Sequence, residues 1–264
     1  MLKLDNVSKL FNPGTPDEKI ALLGIDLELN AGDFVTVIGS NGAGKSTLMN
    51  IISGVLKPDL GQARIDGSNI SSLAEYQRAR WIGRVFQDPM AGTAPHMTIE
   101  ENLAMAYRRG EARGLSFGVN AAKRKMFKEQ LSKLGIGLED RLRAKVGLLS
   151  GGERQALSLL MATFTKPQIL LLDEHTAALD PSRAELITRL TESIVREMKL
   201  TTLMVTHNMD QAIRLGNRLI MMDKGTIILD IDEQRKKDLT VERLLGEFEA
   251  ISGHKLSDDR MILG

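Results

Sequence analysis

The sequence lacks three features that would each define a class of protein. It contains no cysteine, which excludes disulfides, zinc–thiolate sites and cysteine nucleophiles. No stretch approaches the roughly 18 uninterrupted apolar residues of a membrane helix, and the most apolar runs, residues 169–172 and 219–222, have the length of strands. The formal net charge is only +1, so affinity for a polyanion must come from a local site. We therefore expect a cytoplasmic protein that leaves any membrane spanning to another chain.

The hydrophobic pattern predicts an α/β fold with a mostly parallel central sheet. Apolar runs at 169–172 and 202–205 suit strands that are covered on both faces. Residues 183–199, which lie between them, have the periodicity of the crossover helix of a βαβ unit. Residues 2–7 and 25–29 instead alternate between apolar and polar side chains, which predicts antiparallel strands.

A long helical segment interrupts the predicted strands. From about residue 89 to residue 164 the periodicity is helical, with many arginines and lysines such as Arg108 and Arg124. No aromatic residues of the kind that stack on bases are interleaved with these charges, so we expect no nucleic acid partner. We predict a single domain over residues 1–245, with the helical segment inserted as a subdomain, and a short tail over residues 246–264.

A glycine-rich loop supplies a site for phosphate. Residues 39–47 read Gly-Ser-Asn-Gly-Ala-Gly-Lys-Ser-Thr and match the P-loop pattern G-x-x-x-x-G-K-[ST]. Such a loop points backbone N–H groups at one anion, and the N-terminus of the following helix adds positive charge. Lys45 would place its charge on the β- and γ-phosphates, and the Ser46 hydroxyl can ligate Mg²⁺. The predicted nucleotide-binding residues of the loop are Ser40, Asn41, Gly42, Ala43, Gly44, Lys45, Ser46 and Thr47.

Two acidic residues follow the apolar run at 169–172. In P-loop proteins an aspartate at the end of such a strand holds Mg²⁺, and Asp173 has this position. Glu174 comes directly after it and can act as the general base on the water that attacks the γ-phosphate. Together with the P-loop upstream, this pair predicts nucleotide hydrolysis.

Residues 149–153, Leu-Ser-Gly-Gly-Glu, open a helix upstream of Asp173 and closely resemble the signature motif of ABC ATPases. Other motifs occur in the order that this family requires. Gln87 resembles the Q-loop glutamine, Asp180 in Ala-Leu-Asp resembles the D-loop aspartate, and His207 resembles the switch histidine. Phe11 resembles the aromatic residue that stacks on adenine.

The resemblance implies a P-loop NTPase of the ABC ATPase type, with a mostly parallel central sheet, an antiparallel β subdomain and an inserted helical subdomain. It implies ATP and Mg²⁺ as ligands and a homodimer, or pseudo-dimer, in which each signature motif grips the nucleotide of the partner subunit. The implied catalytic residues are Glu174, His207 and Lys45, and the implied metal ligands are Ser46, Gln87 and Asp173. The implied nucleotide contacts outside the P-loop are Phe11, Gln87, Ser150, Gly151, Gly152, Glu153 and Asp180.

The chain departs from the family pattern at two positions. Glu153 stands where glutamine is most frequent, and His175 stands where proline is usual. His175 resembles a subgroup of bacterial importer ATPases whose partners are a permease and a substrate-binding lipoprotein, with amino acids, particularly aromatic ones, suggested as cargo. This resemblance implies a protein peripheral on the inner face of the cell membrane, with transmembrane permease subunits and an extracytoplasmic substrate-binding protein as partners.

Other functions are compatible with the same motifs. Ribosome-associated ABC ATPases typically carry two cassettes, and DNA-repair members contain a long coiled coil, whereas this chain has one cassette without such an insertion. A single-cassette assembly factor, such as one serving iron–sulfur cluster biogenesis, remains an alternative to transport.

Overall fold

The computed structural model describes residues 1–109 and 118–252. Residues 110–117 of the predicted helical subdomain lie outside the described residues, as do residues 253–264 of the predicted tail. No helix within the two described stretches is both long and apolar enough to cross a membrane.

The chain divides into two compact units. The first unit combines Met1–Arg78 with Leu200–Gly264, and the second unit is Ala79–Lys199. The strands, in chain order, are β1 (Leu2–Phe11), β2 (Lys19–Leu29), β3 (Phe34–Gly39), β4 (Leu60–Ile65), β5 (Ser68–Asn69), β6 (Ile82–Val85), β7 (Ile169–Asp173), β8 (Thr201–Val205), β9 (Arg218–Asp223) and β10 (Thr226–Ile231). The α-helices are α1 (Lys45–Ser53), α2 (Glu75–Arg78), α3 (Ile99–Tyr107), α4 (Ala121–Ser132), α5 (Gly151–Thr163), α6 (Pro181–Met198), α7 (Met209–Arg214), α8 (Glu233–Lys236) and α9 (Val241–Ser252).

An antiparallel sheet forms one part of the first unit. Its strand order is β2-β1-β4-β5, with every pairing antiparallel, so the predicted type of the first two strands is confirmed. Leu2 and Leu4 are buried on one face of β1. A register shift between Leu4 and Val7, with Asn6 in the left-handed conformation (φ 47°), then allows Val7 to be buried as well. Local alternation alone therefore underestimated the length of this strand.

The parallel strands of the first unit are the most buried ones. β3 pairs in parallel with β8 on one side and with β9 on the other, while β10 is antiparallel to β9. Every residue of β3 and β8 is buried, as expected for strands that are covered on both faces.

The second unit combines a parallel strand pair with helices. β6 and β7 pair in parallel, with Ile82 opposite Ile169 and Val85 opposite Leu172. Phe127 is buried in the core of the helical part, and its ring makes edge-to-face contacts with the half-buried Phe164 and with the exposed Tyr107, which also contact each other. The ring contacts join the end of α3, the middle of α4 and the C-terminal end of α5.

Some of the basic residues of the second unit form ion pairs or hydrogen bonds within it. Arg124 forms an ion pair with Glu100 at 2.6 Å, and Arg109 donates to the carbonyl oxygen of Ala162 at 3.4 Å. Burial lowers the pKa of Arg109. These contacts explain part of the arginine content without an external anion.

Helix ends follow from caps that the sequence carries. α6 begins at Pro181 because the Asp180 side chain accepts a hydrogen bond from the N–H of Arg183 and proline suits the first helical position. It ends at Met198, and the C-cap residue Lys199 adopts the left-handed conformation (φ 51°). The predicted boundary between residues 245 and 246 falls inside α9.

Candidate functional site

The P-loop of the first unit connects a buried strand to a helix. β3 ends at Gly39, and α1 begins at Lys45 after Gly44, which has φ 102°. A Cβ atom at Gly39 would lie 2.2 Å from the carbonyl oxygen of Met222, and one at Gly44 would lie 2.4 Å from that of Ala21. The tight path of the loop therefore requires glycine at both positions.

The Lys45 ammonium is already held at this loop. Its Nζ atom donates to the carbonyl oxygens of Gly39 at 2.6 Å and Ser40 at 3.0 Å, and the residue is only 5% exposed. The first N–H groups of α1 have no partner within the helix. A buried cation beside a helix N-terminus makes this loop suitable for a polyphosphate.

The opposite end of α1 is capped by a buried arginine that the sequence motifs did not indicate. The Nη1 atom of Arg78 donates to the carbonyl oxygens of Ile51 at 2.6 Å and Ile52 at 2.9 Å, and its Nε atom donates to that of Leu73. Burial lowers the pKa of Arg78 to about 10, so the guanidinium stays charged at neutral pH. Arg78 therefore anchors the helix that carries the P-loop.

Arg78→Met should destabilise the protein by roughly 2–4 kcal/mol, because buried helix carbonyls that lose their donor each cost about 1–3 kcal/mol. Urea unfolding of the variant measures this loss. Arg64→Met is the matched control, because Arg64 is exposed and surface changes usually stay within about 0.5 kcal/mol. Equal stability of the two variants would contradict an anchoring role.

Phe11 and His207 also lie in the first unit. Phe11 ends β1 and is half-buried, with the Lys9 ammonium 5.8 Å from its ring centroid. His207 is half-buried and follows β8 at a turn into α7. The Asn208 side chain caps α7 by accepting from the N–H of Gln211 at 2.7 Å, which fixes the course of this turn. The roles in adenine stacking and γ-phosphate contact stay predictions.

The two acidic residues that follow the buried part of β7 lie in the second unit. Arg84 on the adjacent β6 forms an ion pair with Asp173, with Nη2 and Oδ2 2.8 Å apart and the side chains only 11% and 15% exposed. The sequence signal for Arg84 was a charged residue inside an otherwise apolar strand. Glu174 has φ 46°, and its carbonyl oxygen accepts from the N–H of Ala177 at 2.9 Å. The chain thus turns sharply at the proposed general base.

His175 points into the interior of the second unit and is 2% exposed. Its Nε2 atom lies 3.0 Å from the Thr191 hydroxyl on α6. Burial lowers the pKa of His175 to about 4, so the ring is neutral at pH 7. The sequence marked this residue as a departure from the family pattern but did not identify its partner.

The signature motif forms the N-terminus of α5. Ser150 and Glu153 make a capping box, in which Ser150 Oγ accepts from the N–H of Glu153 at 3.3 Å and the Glu153 carboxylate accepts from the N–H of Ser150 at 2.7 Å. Arg141 pairs with the same carboxylate at 2.6 Å. Partial burial acts to raise the pKa of Glu153, but the Ser150 hydrogen bonds and Arg141 lower it overall. Glu153 is therefore held by contacts within the unit, with Ser150 and with Arg141.

The segment that contains Gln87 is attached to the signature helix. Gln155 on α5 is buried, and its Nε2 atom donates to the carbonyl oxygen of Phe86 at 3.2 Å. Gln87 itself is exposed. Gly152, in the signature motif, packs closely on α6, because a Cβ atom there would lie 3.0 Å from Cδ of Arg183. Gln155 was not among the predicted residues.

The predicted metal ligands fit Mg²⁺ that arrives with a nucleotide. Across residues 1–109 and 118–252, no three His, Asp or Glu side chains form a group that could hold a metal. Mg²⁺ usually binds one or two protein carboxylates and takes its other ligands from water and phosphate. Asp173 carries a carboxylate and Ser46 has an exposed hydroxyl, and each is a ligand type that Mg²⁺ takes from proteins.

Comparison with known proteins identifies the family. The model of the ABC transporter family matches residues 22–177. A tyrosine transport ATP-binding protein of Clostridioides difficile is 48% identical over 94% of this chain and 99% of its own length. A methionine import ATP-binding protein of Mannheimia succiniciproducens is 32% identical over 95% of this chain and 72% of its own length.

Solved structures show the same fold. A dimeric structure of an ATP-binding cassette in a post-hydrolysis state, bound to ADP and Pi, has a TM-score of 0.76 and 30% identity, covering 88% of this chain and 99% of that one. The predicted fold class is therefore confirmed. The chain belongs to the ABC transporter family and is one of its ATP-hydrolysing cassettes.

Proposed function

We propose that this chain energises an importer of an amino acid, with tyrosine as the first candidate cargo. The observation that carries this proposal is the 48% identity to a tyrosine transport ATP-binding protein over 94% of this chain and 99% of the relative. His175 supports it, because histidine at this position resembles the importer subgroup with suggested aromatic amino acid cargo.

The proposed nucleotide contacts follow from the chemistry of each motif. Lys45 and the N-terminus of α1 bind the β- and γ-phosphates of ATP. Ser46, Gln87 and Asp173 would hold Mg²⁺, which would supply positive charge to the phosphates. Phe11 offers a partly exposed ring to the adenine base. The P-loop amides of residues 40–47 supply the remaining phosphate contacts.

Glu174 is the proposed general base. Its carboxylate would take a proton from the attacking water as the water oxygen bonds to the γ-phosphorus and the bond from that phosphorus to the β–γ bridging oxygen breaks, with ADP as the leaving group. The proton would remain on the carboxyl group until product release. His207 would donate a hydrogen bond to the γ-phosphate and thereby orient it. Glu174 directly follows β7, and His207 lies two residues after β8.

The N-terminus of α5 is the proposed second anion site. The capping box uses Ser150 Oγ as an acceptor, so the hydroxyl proton can be donated to a phosphate oxygen of a nucleotide bound to a second subunit. The N–H groups of Gly151 and Gly152 belong to the first turn of this 13-residue helix, and such groups attract anions. Asp180 caps the neighbouring α6, and in the proposed dimer it would face the interface between the two subunits.

The proposed partners are a second copy of the cassette, transmembrane permease subunits and an extracytoplasmic substrate-binding protein. In this arrangement the chain is peripheral on the inner face of the membrane, and the permease determines the cargo. The test is to reconstitute the chain with the permease and binding protein encoded beside it and to measure uptake of radiolabelled tyrosine into vesicles. We expect uptake that requires ATP and that Glu174→Gln abolishes. Uptake of other solutes but not of amino acids would reject the cargo class, and neighbouring genes for cluster assembly without a permease would reject the importer.

The dimer can be tested on the isolated subunit. With ATP and Mg²⁺, the Glu174→Gln variant should shift from monomer to dimer in sedimentation velocity, because slow hydrolysis preserves the γ-phosphate that joins the two subunits. ADP should not cause the shift. Ser150→Arg should prevent it by placing a large side chain at the joint while ATP binding to the monomer is retained. A monomer that stays insensitive to ATP, with binding confirmed by a fluorescent analogue, would contradict pairing through the signature motif.

A further inference from the structure

The loop between β7 and α6 carries the proposed general base, and the buried side chain of His175 lies at its start. Two backbone hydrogen bonds shape it, from the N–H of Ala177 to the carbonyl oxygen of Glu174 at 2.9 Å and from that of Leu179 to Thr176 at 3.2 Å. Both are local turn contacts, which define the shape of the loop but do not attach it to α6. The Asp180 cap connects the end of the loop to α6, and the contact between His175 and Thr191 attaches the start of the loop to the same helix.

The hydrogen-bond partners assign the tautomer of His175. The Thr191 Oγ1 atom lies 2.9 Å from the carbonyl oxygen of Ile187, which can only accept, so the Thr191 hydroxyl proton is donated there. With that proton donated to Ile187, Thr191 Oγ1 acts as the acceptor towards the ring, and we assign the ring proton to His175 Nε2 on this basis. Two hydrogen bonds thus connect the loop to the backbone of α6: His175 Nε2–H donates to Thr191 Oγ1, and the Thr191 hydroxyl donates to the carbonyl oxygen of Ile187.

This arrangement has a cost that an apolar residue would avoid. Burying an imidazole and a hydroxyl requires that their polar atoms be paired, and a lost partner costs about 1–3 kcal/mol. A leucine at residue 175 could fill similar space without any such requirement. The hydrogen bond to Thr191 instead specifies one position and one orientation for His175. The neighbouring residue, Glu174, has its backbone in the left-handed conformation (φ 46°).

We propose that His175 is a positioning residue for hydrolysis, which holds the Glu174 carboxylate in place through its hydrogen bond to Thr191 on α6. This inference rests on the proposed role of Glu174 as general base. His175 itself is buried and does not need to touch ATP or water. Its effect on the reaction is transmitted through the one peptide unit that joins it to Glu174.

The chain offers a matched set of variants. His175→Leu removes the donor, and Thr191→Val removes the acceptor with little change of shape. His175→Gln keeps a donor close to the position of Nε2. Thr188→Val is the control, because Thr188 lies on the same helix, is equally buried and donates to the carbonyl oxygen of Ala184 at 2.8 Å, as Thr191 does to Ile187.

Steady-state ATPase assays should separate these variants. We expect His175→Leu and Thr191→Val to lower kcat by about ten- to a hundredfold, the range for a displacement of up to about 1 Å of a catalytic group. KM and the affinity for a fluorescent ATP analogue should stay unchanged, because the phosphate contacts remain. His175→Gln should recover most of the turnover, and Thr188→Val should retain it.

A double-mutant cycle then identifies the residue through which His175 acts. In a Glu174→Gln background, His175→Leu should cause no further loss, because its target has already been removed. An equal loss in both backgrounds, or turnover of Thr191→Val equal to that of Thr188→Val, would overturn the positioning role. If wild-type turnover did not depend on Glu174 at all, the proposed function of Glu174 would fail instead, so the two failures are distinguishable. Thr191→Val carries the test if His175→Leu does not fold.

Discussion

Glu174→Gln is expected to lower ATP turnover by about 10²–10⁴-fold, which is the usual effect of removing a general base. Glutamine has nearly the same shape as glutamate but cannot accept the proton of the attacking water. The change leaves Lys45 and the P-loop glycines intact, so the affinity for ATP should be retained. Phosphate release in a steady-state assay measures the turnover, and titration with a fluorescent ATP analogue measures the affinity.

The control for this prediction is Glu197→Gln on α6, an exposed carboxylate of the same unit that lies near the C-terminal end of the helix. Its turnover should match that of the wild-type protein. Turnover of Glu174→Gln close to the wild-type value would remove Glu174 from the mechanism. The loss of both binding and turnover would indicate instead that the left-handed turn at residue 174 does not accept glutamine.

Lys45→Ala is expected to weaken ATP binding itself, by roughly thirtyfold to a few thousandfold. This range corresponds to about 2–5 kcal/mol for removing one partner of a buried, hydrogen-bonded charge pair. The ammonium lies at the loop through its contacts with Gly39 and Ser40 before any nucleotide binds. Its charge therefore contributes to the ground-state complex as well as to the transition state.

The dissociation constant for the fluorescent ATP analogue measures this effect directly. Lys57→Ala is the control, since Lys57 is an exposed lysine shortly after α1. Unchanged affinity of Lys45→Ala together with lost turnover would mean that Lys45 acts only in the transition state. Thermal unfolding of the variant without nucleotide checks that the loop tolerates the loss of the two internal hydrogen bonds.

Features that depend on neighbouring residues along the chain could be predicted from the sequence. The P-loop needs glycine where the backbone has little space and a lysine at the start of a helix, and both requirements are visible as a fixed spacing. The caps at Ser150 and Asp180 are equally local, because a cap bonds an N–H group only three residues away. The buried strand β8 was predicted from the mainly apolar run at residues 202–205.

The extent of the two units was harder to predict from the sequence. The predicted helical subdomain covered about residues 89–164, whereas the second unit extends from Ala79 to Lys199 and includes the strand pair β6–β7. Helical periodicity marks where helices lie, but it does not show which strands are packed with them. The predicted single domain and its boundary at residue 245 remain predictions, and α9 continues across that boundary.

From the sequence alone, this chain was predicted to carry the local chemistry of an ABC cassette: a phosphate-binding loop, an apolar strand followed by two acidic residues, and a signature motif at the start of a helix. Only the tertiary structure showed that Arg84 pairs with Asp173, that Gln155 contacts the segment before Gln87, and that His175 is anchored to Thr191. These partners are separated along the chain, and their contact depends on strand register and on how a helix packs against a loop. Spacing in a sequence specifies neither, because the side chains that meet across two elements are selected by the packing of the whole unit.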